Sequence, residues 1–146
     1  MGANNQGSKL EDATSWLIDN RIVNEKGDFI EFKNHKFLFD IYNDESQEVA
    51  VMKAAQVGMS TLQILKNHRD AKREKMDIIY TLPTDNDVRV FVGGKVNRII
   101  ANNKPLLDDV ADKDSIEVKQ VGDSMIYFRG TWTKKTAIMV TADRLV

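Results

Sequence analysis

Residues 48–61 read Glu48-Val-Ala-Val-Met-Lys-Ala-Ala-Gln-Val-Gly-Met-Ser-Thr61. The short apolar run at 49–52 predicts a buried strand, because it is too short and too unbroken for an amphipathic helix. A loop of small residues follows, and the apolar residues from Leu62 onward predict the start of a helix. A strand, a small-residue loop and a helix in this order are typical of a phosphate-binding loop, where backbone N–H groups and the positive end of the helix face an anion.

The loop matches the pattern G-x-x-x-x-G-K-[ST] only in part. Gly58 and Ser60 fit, but Lys53 stands at the first glycine position and Met59 stands where the lysine belongs. A methionine cannot donate a hydrogen bond to phosphate, whereas the long stem of Lys53 can bring its ammonium back to the same oxygens. The alternative is an ordinary strand, turn and helix with an incidental lysine.

Four segments together resemble the large terminase subunits of tailed bacteriophages, in particular the lambda-like branch. The loop itself, with its lysine displaced to the front, resembles the deviant Walker A of that family. Ile79-Tyr80-Thr81-Leu82-Pro83-Thr84 resembles the strand and Pro-Thr turn after its first helix, and the segments 128–130 and 142–146 resemble the approach to Walker B. Their order and spacing carry the resemblance, which covers roughly residues 30 to 146.

The resemblance implies a three-layer α/β fold of the ASCE P-loop type. We expect a largely parallel sheet with helices on both faces and a β-hairpin inserted before the final strand. Residues 1–7 are expected to be disordered, 8–47 to form an N-terminal helix and lead-in segment, and 48–146 to form a partial P-loop ATPase core. In the family the Walker B Asp-Glu pair follows the last strand, so this chain is expected to end before it and to be inactive alone.

The resemblance also implies a site for ATP and Mg²⁺. Lys53 would neutralise the β- and γ-phosphates, Gln56 would orient the γ-phosphate, and Ser60 would ligate Mg²⁺, with Thr61 as the less favoured metal ligand. The nucleotide-binding residues are expected to be Lys53, Ala54, Ala55, Gln56, Val57, Gly58, Met59, Ser60 and Thr61.

Two further roles are predicted outside the loop. In the family an aromatic residue just before the first strand closes over adenine, and plain core packing is the alternative for each of the candidates Phe37, Phe39 and Tyr42. Arg129, at a strand end, is the candidate arginine finger. Lys134 and Lys135 compete with it for that role.

Several other elements follow from local patterns. A capping box at Ser8 predicts a helix to Asp19, and basic residues at the end of the helix after the loop predict either a DNA-facing patch or a solvated helix end. An apolar stripe predicts a long helix over 85–102, in which Gly93-Gly94 marks a kink or the close approach of another backbone. The acidic stretch 108–114 is predicted to be a solvated loop, with a paired-carboxylate metal site as the alternative. Gly122-Asp123 is predicted to be a hairpin turn.

Composition bounds the function classes. The chain has 146 residues, of which 42% are apolar and 29% charged, with no cysteine, so disulfides and thiolate metal sites are excluded. No run of 18 apolar residues is present, and the polar N-terminus lacks the core of a secretion signal, which excludes a membrane span and favours the host cytoplasm. A net charge of −1 is unusual for a DNA-binding protein, so DNA contacts would be local or lie outside this chain.

The predicted function is therefore that of an ATPase-domain fragment of a phage terminase large subunit, which powers DNA packaging into procapsids. Its partners would be double-stranded DNA, the terminase small subunit, the portal or procapsid, and further copies of itself. Two alternatives stay open: a non-catalytic interaction module derived from such a domain, and a fragment of another ASCE ATPase.

Overall fold

The computed structural model describes residues 12–132 and 141–146, with the side chains of 111–114 left aside. The helices are α1 Ala13–Asp19, α2 Phe37–Tyr42, α3 Met59–Glu74, α4 Asp85–Phe91, α5 Asn97–Asn102 and α6 Lys104–Asp109, with a π-helical segment Val92–Val96 between α4 and α5. The strands are β1 Ile78–Leu82, β2 Val110–Asp114, β3 Val118–Val121, β4 Ser124–Gly130 and β5 Arg144–Leu145.

The five strands form one mixed sheet in the order β2-β3-β4-β1-β5. β1 lies parallel to β4 and to β5, whereas β3 lies antiparallel to β2 and to β4. The chain reverses between β3 and β4 at Gly122, whose φ of +58° favours glycine. The α/β class is confirmed, but the sheet is mixed where a largely parallel one was predicted, because β4 both pairs with β3 and enters the parallel part.

Helices α3 and α4 pack on the same face of the sheet. Arg144 is the register partner of Ile78 and contacts α3, while Tyr80, two residues further along β1, stacks on Phe91 of α4 at 5.0 Å. Residues two apart on a strand share a face, so both helices cover one side. On the other side Ile79, among others, stays half-buried. The described residues therefore do not show the predicted helices on both faces.

Helix α3 is the centre of the packing. Every residue from 61 to 71 is buried except Gln63, which is half-buried. Leu62, Ile64, Leu65 and Ala71 join a hydrophobic core that draws on α1, α2, the π-helical segment, α5 and the sheet. The predicted helix after the loop is confirmed, but it is a core helix, so the basic residues of its middle turns cannot form a solvated helix end.

The predicted strand at 49–52 is absent. Val49, Val51 and Met52 are 50%, 37% and 102% exposed, and no strand of the described residues pairs with this segment. A strand requires a neighbour that completes its backbone hydrogen bonds, and an apolar sequence alone does not supply one.

Elsewhere the local predictions meet different outcomes. The acidic stretch is not a loop, because it forms α6 and β2. The long helix after β1 is continuous from 85 to 102, with Gly93 and Gly94 in its π-helical turn. A Cβ added at either glycine would meet no atom within 4 Å, which excludes close approach of another backbone. Insertion of a π-helical turn is a known cause of a helix kink.

The N-terminal region folds over α5 and α6. Helix α1 is capped by Asp12, whose carboxylate accepts from the Ser15 N–H at 2.8 Å; Ser8 and the predicted disordered residues 1–7 lie outside the described part. The turn after α1 is closed by a bridge between Val23 and Phe29. The buried Asn103 side chain holds it, accepting from the Val23 N–H and donating to the Val23 carbonyl at 2.8 Å each.

Candidate functional site

Residues 55–58, between Lys53 and α3, form turns and bends. Gln56 and Gly58 have φ angles of +58° and +82°, so left-handed residues alternate with others along the loop. Such alternation turns successive N–H groups toward one point and forms an anion-binding concavity. A non-glycine residue in the left-handed region is uncommon, and Gln56 therefore marks a backbone conformation that the local sequence does not favour.

Helix α3 begins directly after this loop without a side-chain cap. Gly58 is its N-cap residue and no acidic residue lies in its first turn. Helix α4 offers the contrast, since Thr84 and Asp87 form a complete capping box there, with Asp85 also in the first turn. The first N–H groups of α3 and the positive end of its dipole are thus left for another group.

Lys53 and Met59 take different positions around the loop. The Lys53 side chain is exposed, and its ammonium lies 3.5 Å from the carbonyl oxygen of the next residue, Ala54. Met59 is half-buried and packs against the core. It also lines a cavity of about 330 Å³ between α3, residues 41–51 and β5.

The two hydroxyls at the start of α3 differ in availability. Ser60 is partly exposed, whereas Thr61 is buried and its hydroxyl donates to the Glu25 carboxylate at 3.1 Å. Glu25 also pairs with Lys95 at 3.4 Å. Burial raises the pKa of Glu25, but its backbone hydrogen bond, Lys95 and Thr61 outweigh burial and hold the pKa below its usual value. Ser60 is thus the freer hydroxyl of the two.

The aromatic candidates separate into two groups. Phe37 and Phe39 are exposed, and Phe39 contacts Phe32 edge-on at 6.0 Å. Tyr42 is fully buried, which fits the core-packing alternative for that residue. Helix α2 adjoins the loop through Leu38, whose Cδ1 would lie 3.8 Å from a Cβ at position 58.

Arg129 lies at the far end of β4 and is held by its own sheet. Its guanidinium donates to the carbonyls of Glu117 at 3.2 Å and Phe128 at 3.1 Å, and stands over the Tyr127 ring at 5.5 Å. These contacts lie within its own sheet, and an arginine-finger role stays a prediction. Lys134 and Lys135 lie outside the described residues.

Sequence reasoning missed the charged residues inside α3. Lys66 donates to the carbonyls of Tyr42 and Asp44 at 3.1 and 2.6 Å, and the fully buried Asp70 accepts from Arg69 at 2.7 Å and from Arg144. The signal was present, since Lys66 and Arg69 lie four and seven residues after Leu62 and so continue its apolar stripe. Glu25 gave no such signal, because 36 residues separate it from Thr61.

Comparisons with known proteins give one match. No curated protein and no solved structure matches the chain. Among the described residues no helix is long and apolar enough to cross a membrane. The model of the family "Phage terminase large subunit gpA, ATPase domain" matches residues 38–144, which include the loop, α3 and most of the sheet. Because this match covers well over half of the chain, the protein belongs to the phage terminase large subunit gpA ATPase-domain family.

Proposed function

We propose that residues 53–61 bind ATP·Mg²⁺ and that the domain uses this nucleotide to power DNA packaging into procapsids. The observation that carries the proposal is the uncapped start of α3 behind a loop with Gln56 and Gly58 in the left-handed region. Both features present backbone N–H groups to an anion, and phosphate is the anion that such loops bind. The family match to an ATPase domain covers residues 38–144, which include this loop, and so supports the proposal.

Each loop residue has a role in the proposal. Backbone N–H groups from Ala54 to Ser60 cradle the phosphates, and the Lys53 ammonium supplies the charge that Met59 cannot. Ser60 is the Mg²⁺ ligand, because the Thr61 hydroxyl is already engaged by Glu25. Bound Mg²⁺ neutralises charge on the phosphates. Gln56 stays the candidate for orienting the γ-phosphate, and Phe37 and Phe39 stay the exposed candidates for stacking on adenine.

The wider assignment follows the family. We infer that the parallel strands β4, β1 and β5, together with the loop and α3, form part of an ASCE-type core, and that β3 and β4 correspond to the inserted hairpin. The partners would be double-stranded DNA, the terminase small subunit, the portal and further copies of the chain, in the host cytoplasm. A terminase domain acts on DNA within packaging machinery in general, which supports these partners as a class.

Calorimetric titration with ATP·Mg²⁺ tests the proposal. Lys53→Ala should weaken binding about tenfold, since it removes a charged donor from the phosphates. Met59→Ala is the matched control and should change binding less, because Met59 packs on the core side of the loop. Equal effects, or a larger one at Met59, would contradict the displaced-lysine assignment, and no binding by the unmodified chain would contradict the site.

The interaction-module alternative also has an observation in its favour. Val49, Val51 and Met52 form an exposed apolar segment directly before the loop, and such segments occur at protein contacts. A module of this kind would keep its function when the loop is disabled. If Lys53→Ala abolished ATP binding but left packaging by the complete protein unchanged, this alternative would be favoured over the ATPase.

A further inference from the structure

The carboxylate of Asp70 is the most deeply buried charge of the described residues. Its side chain is 0% exposed, in the middle of α3. Arg69 lies 2.7 Å from one carboxylate oxygen, and Arg144 contacts the other. A buried carboxylate is tolerated only when charge partners and hydrogen bonds replace its lost hydration. Asp70 therefore depends on both arginines.

Arg144 reaches Asp70 from a distant part of the chain. It is the first residue of β5, and its backbone N–H donates to the Asp77 carbonyl at 3.2 Å. β5 pairs with one strand of the described residues, β1, over two register positions. Backbone hydrogen bonds from Asp143, Arg144 and Val146 hold this end of the chain against β1. The side-chain contact of Arg144 with Asp70 then connects β5 directly to α3.

The same helix carries the phosphate loop. Helix α3 begins at Met59, directly after the loop, and the helix continues through Asp70 to Glu74. Met59 and Arg144 line one cavity of about 330 Å³, so the wall that contains Arg144 extends to the first residue of α3, directly after the loop. Tyr42 lines it too, and its buried hydroxyl has no hydrogen-bond partner. A shift of β5 would thus change the surroundings of the loop.

We propose that Asp70 and Arg144 are positioning residues of the nucleotide site. Their ion pair holds α3 and β5 in one relative position, and thereby holds the first turn of α3 where the loop can bind phosphate. This inference rests on the proposed function, because it concerns the same loop. A purely structural ion pair would lower stability when broken but would leave the ATP affinity of the folded protein unchanged.

The test combines ATP·Mg²⁺ titration with backbone amide spectra of the full chain. Arg144→Gln, Asp70→Asn and the double variant are titrated at a temperature where circular dichroism shows each to be folded. Arg144→Gln and Asp70→Asn should each weaken binding about tenfold. The double variant should bind ATP with about the same affinity as the single variant that binds it less tightly, because both substitutions remove the same contact. Arg144→Lys should bind within about threefold of the unmodified chain.

Amide chemical shifts provide a second measurement, which a change in stability alone would not alter. ATP should shift the Leu145 amide of the unmodified chain, and Arg144→Gln should reduce that shift. Lys104→Gln is the matched control, because it breaks an exposed ion pair with Asp108 at 2.7 Å and should leave binding and shifts within twofold.

Each outcome decides the proposal. If folded Arg144→Gln binds ATP within twofold of the unmodified chain and keeps the Leu145 shift, the positioning role is wrong while the ATP site stands. If the unmodified chain binds no ATP, the proposed function fails, and this inference fails with it. If Asp70→Asn does not fold, Arg144→Gln and Arg144→Lys decide, because Arg144 is 23% exposed and Asp70 keeps Arg69.

Discussion

The proposed phosphate-binding loop at 53–58 and the body of helix α3 at 61–71 lie close together along the chain, but different features determine their structures. The loop is largely exposed, and its shape comes from backbone conformation at Gln56 and Gly58. The helix body is buried, and charged side chains such as Lys66 and Asp70 fix its position through specific partners. ATP binding by the loop should therefore depend on its backbone geometry. The contribution of the helix body to the unfolding free energy should depend on individual side chains.

The largest effect is expected in the helix body. Asp70→Asn removes the charge that Arg69 and Arg144 share, and loss of one partner of a buried ion pair costs about 3 kcal/mol of unfolding free energy or more. Urea unfolding measures it. Lys104→Gln breaks an exposed ion pair and should cost less than about 0.5 kcal/mol. If the two variants lost similar amounts of unfolding free energy, the buried ion pair would be no more important for stability than the exposed one.

A smaller effect is expected in the loop. Gly58→Ala places a side chain at a φ of +82°, which should cost about 1 to 2 kcal/mol. The new Cβ would meet Leu38 at an ordinary 3.8 Å, so backbone conformation is the whole cause. Thermal unfolding gives the cost, and calorimetry should show weaker ATP binding as the cradle changes. Unchanged stability together with unchanged ATP binding would mean that the loop does not need this conformation.

Gly93→Ala sharpens the comparison, because the same substitution is made where φ is not positive. Gly93 is exposed in the π-helical segment, and a Cβ there would meet nothing within 4 Å. The reduced flexibility of the unfolded chain should stabilise the protein by about 0.5 to 1 kcal/mol. Thermal unfolding beside Gly58→Ala should give shifts of opposite sign. A destabilised Gly93→Ala would show that the π-helical turn itself requires glycine.

The sequence predicted features that depend on local chemistry. The start of α3 after Gly58 and the long helix after β1 follow from apolar periodicity and turn residues, and the α/β class from the resemblance. It failed where partners distant in the chain decide. Among the described residues the segment 49–52 has no neighbouring strand. The basic residue Lys66 donates to the carbonyls of Tyr42 and Asp44, which lie 24 and 22 residues earlier in the chain and which spacing alone cannot identify.

The smallest effect is expected where the two regions meet, at Glu25. Its carboxylate accepts from Thr61 and pairs with Lys95, and these contacts hold its pKa below the usual value although burial opposes them. A carboxylate with a lowered folded pKa stabilises the protein fully above its unfolded pKa of about 4.3, and this contribution is lost as the pH falls through the folded value. The unmodified chain should therefore exceed Glu25→Gln in unfolding free energy by less than about 1 kcal/mol at pH 7, and the difference should shrink below about pH 4.3. Urea unfolding of both proteins between pH 7 and pH 3 measures it, because the difference cancels the titration of other carboxylates such as Asp109. If the difference in unfolding free energy stayed constant across this pH range, the charge of Glu25 would not be the cause of its effect. The contact between Glu25 and Thr61 would then depend on the fit of the side chain rather than on its charge, unlike the contacts of Asp70 in the helix body.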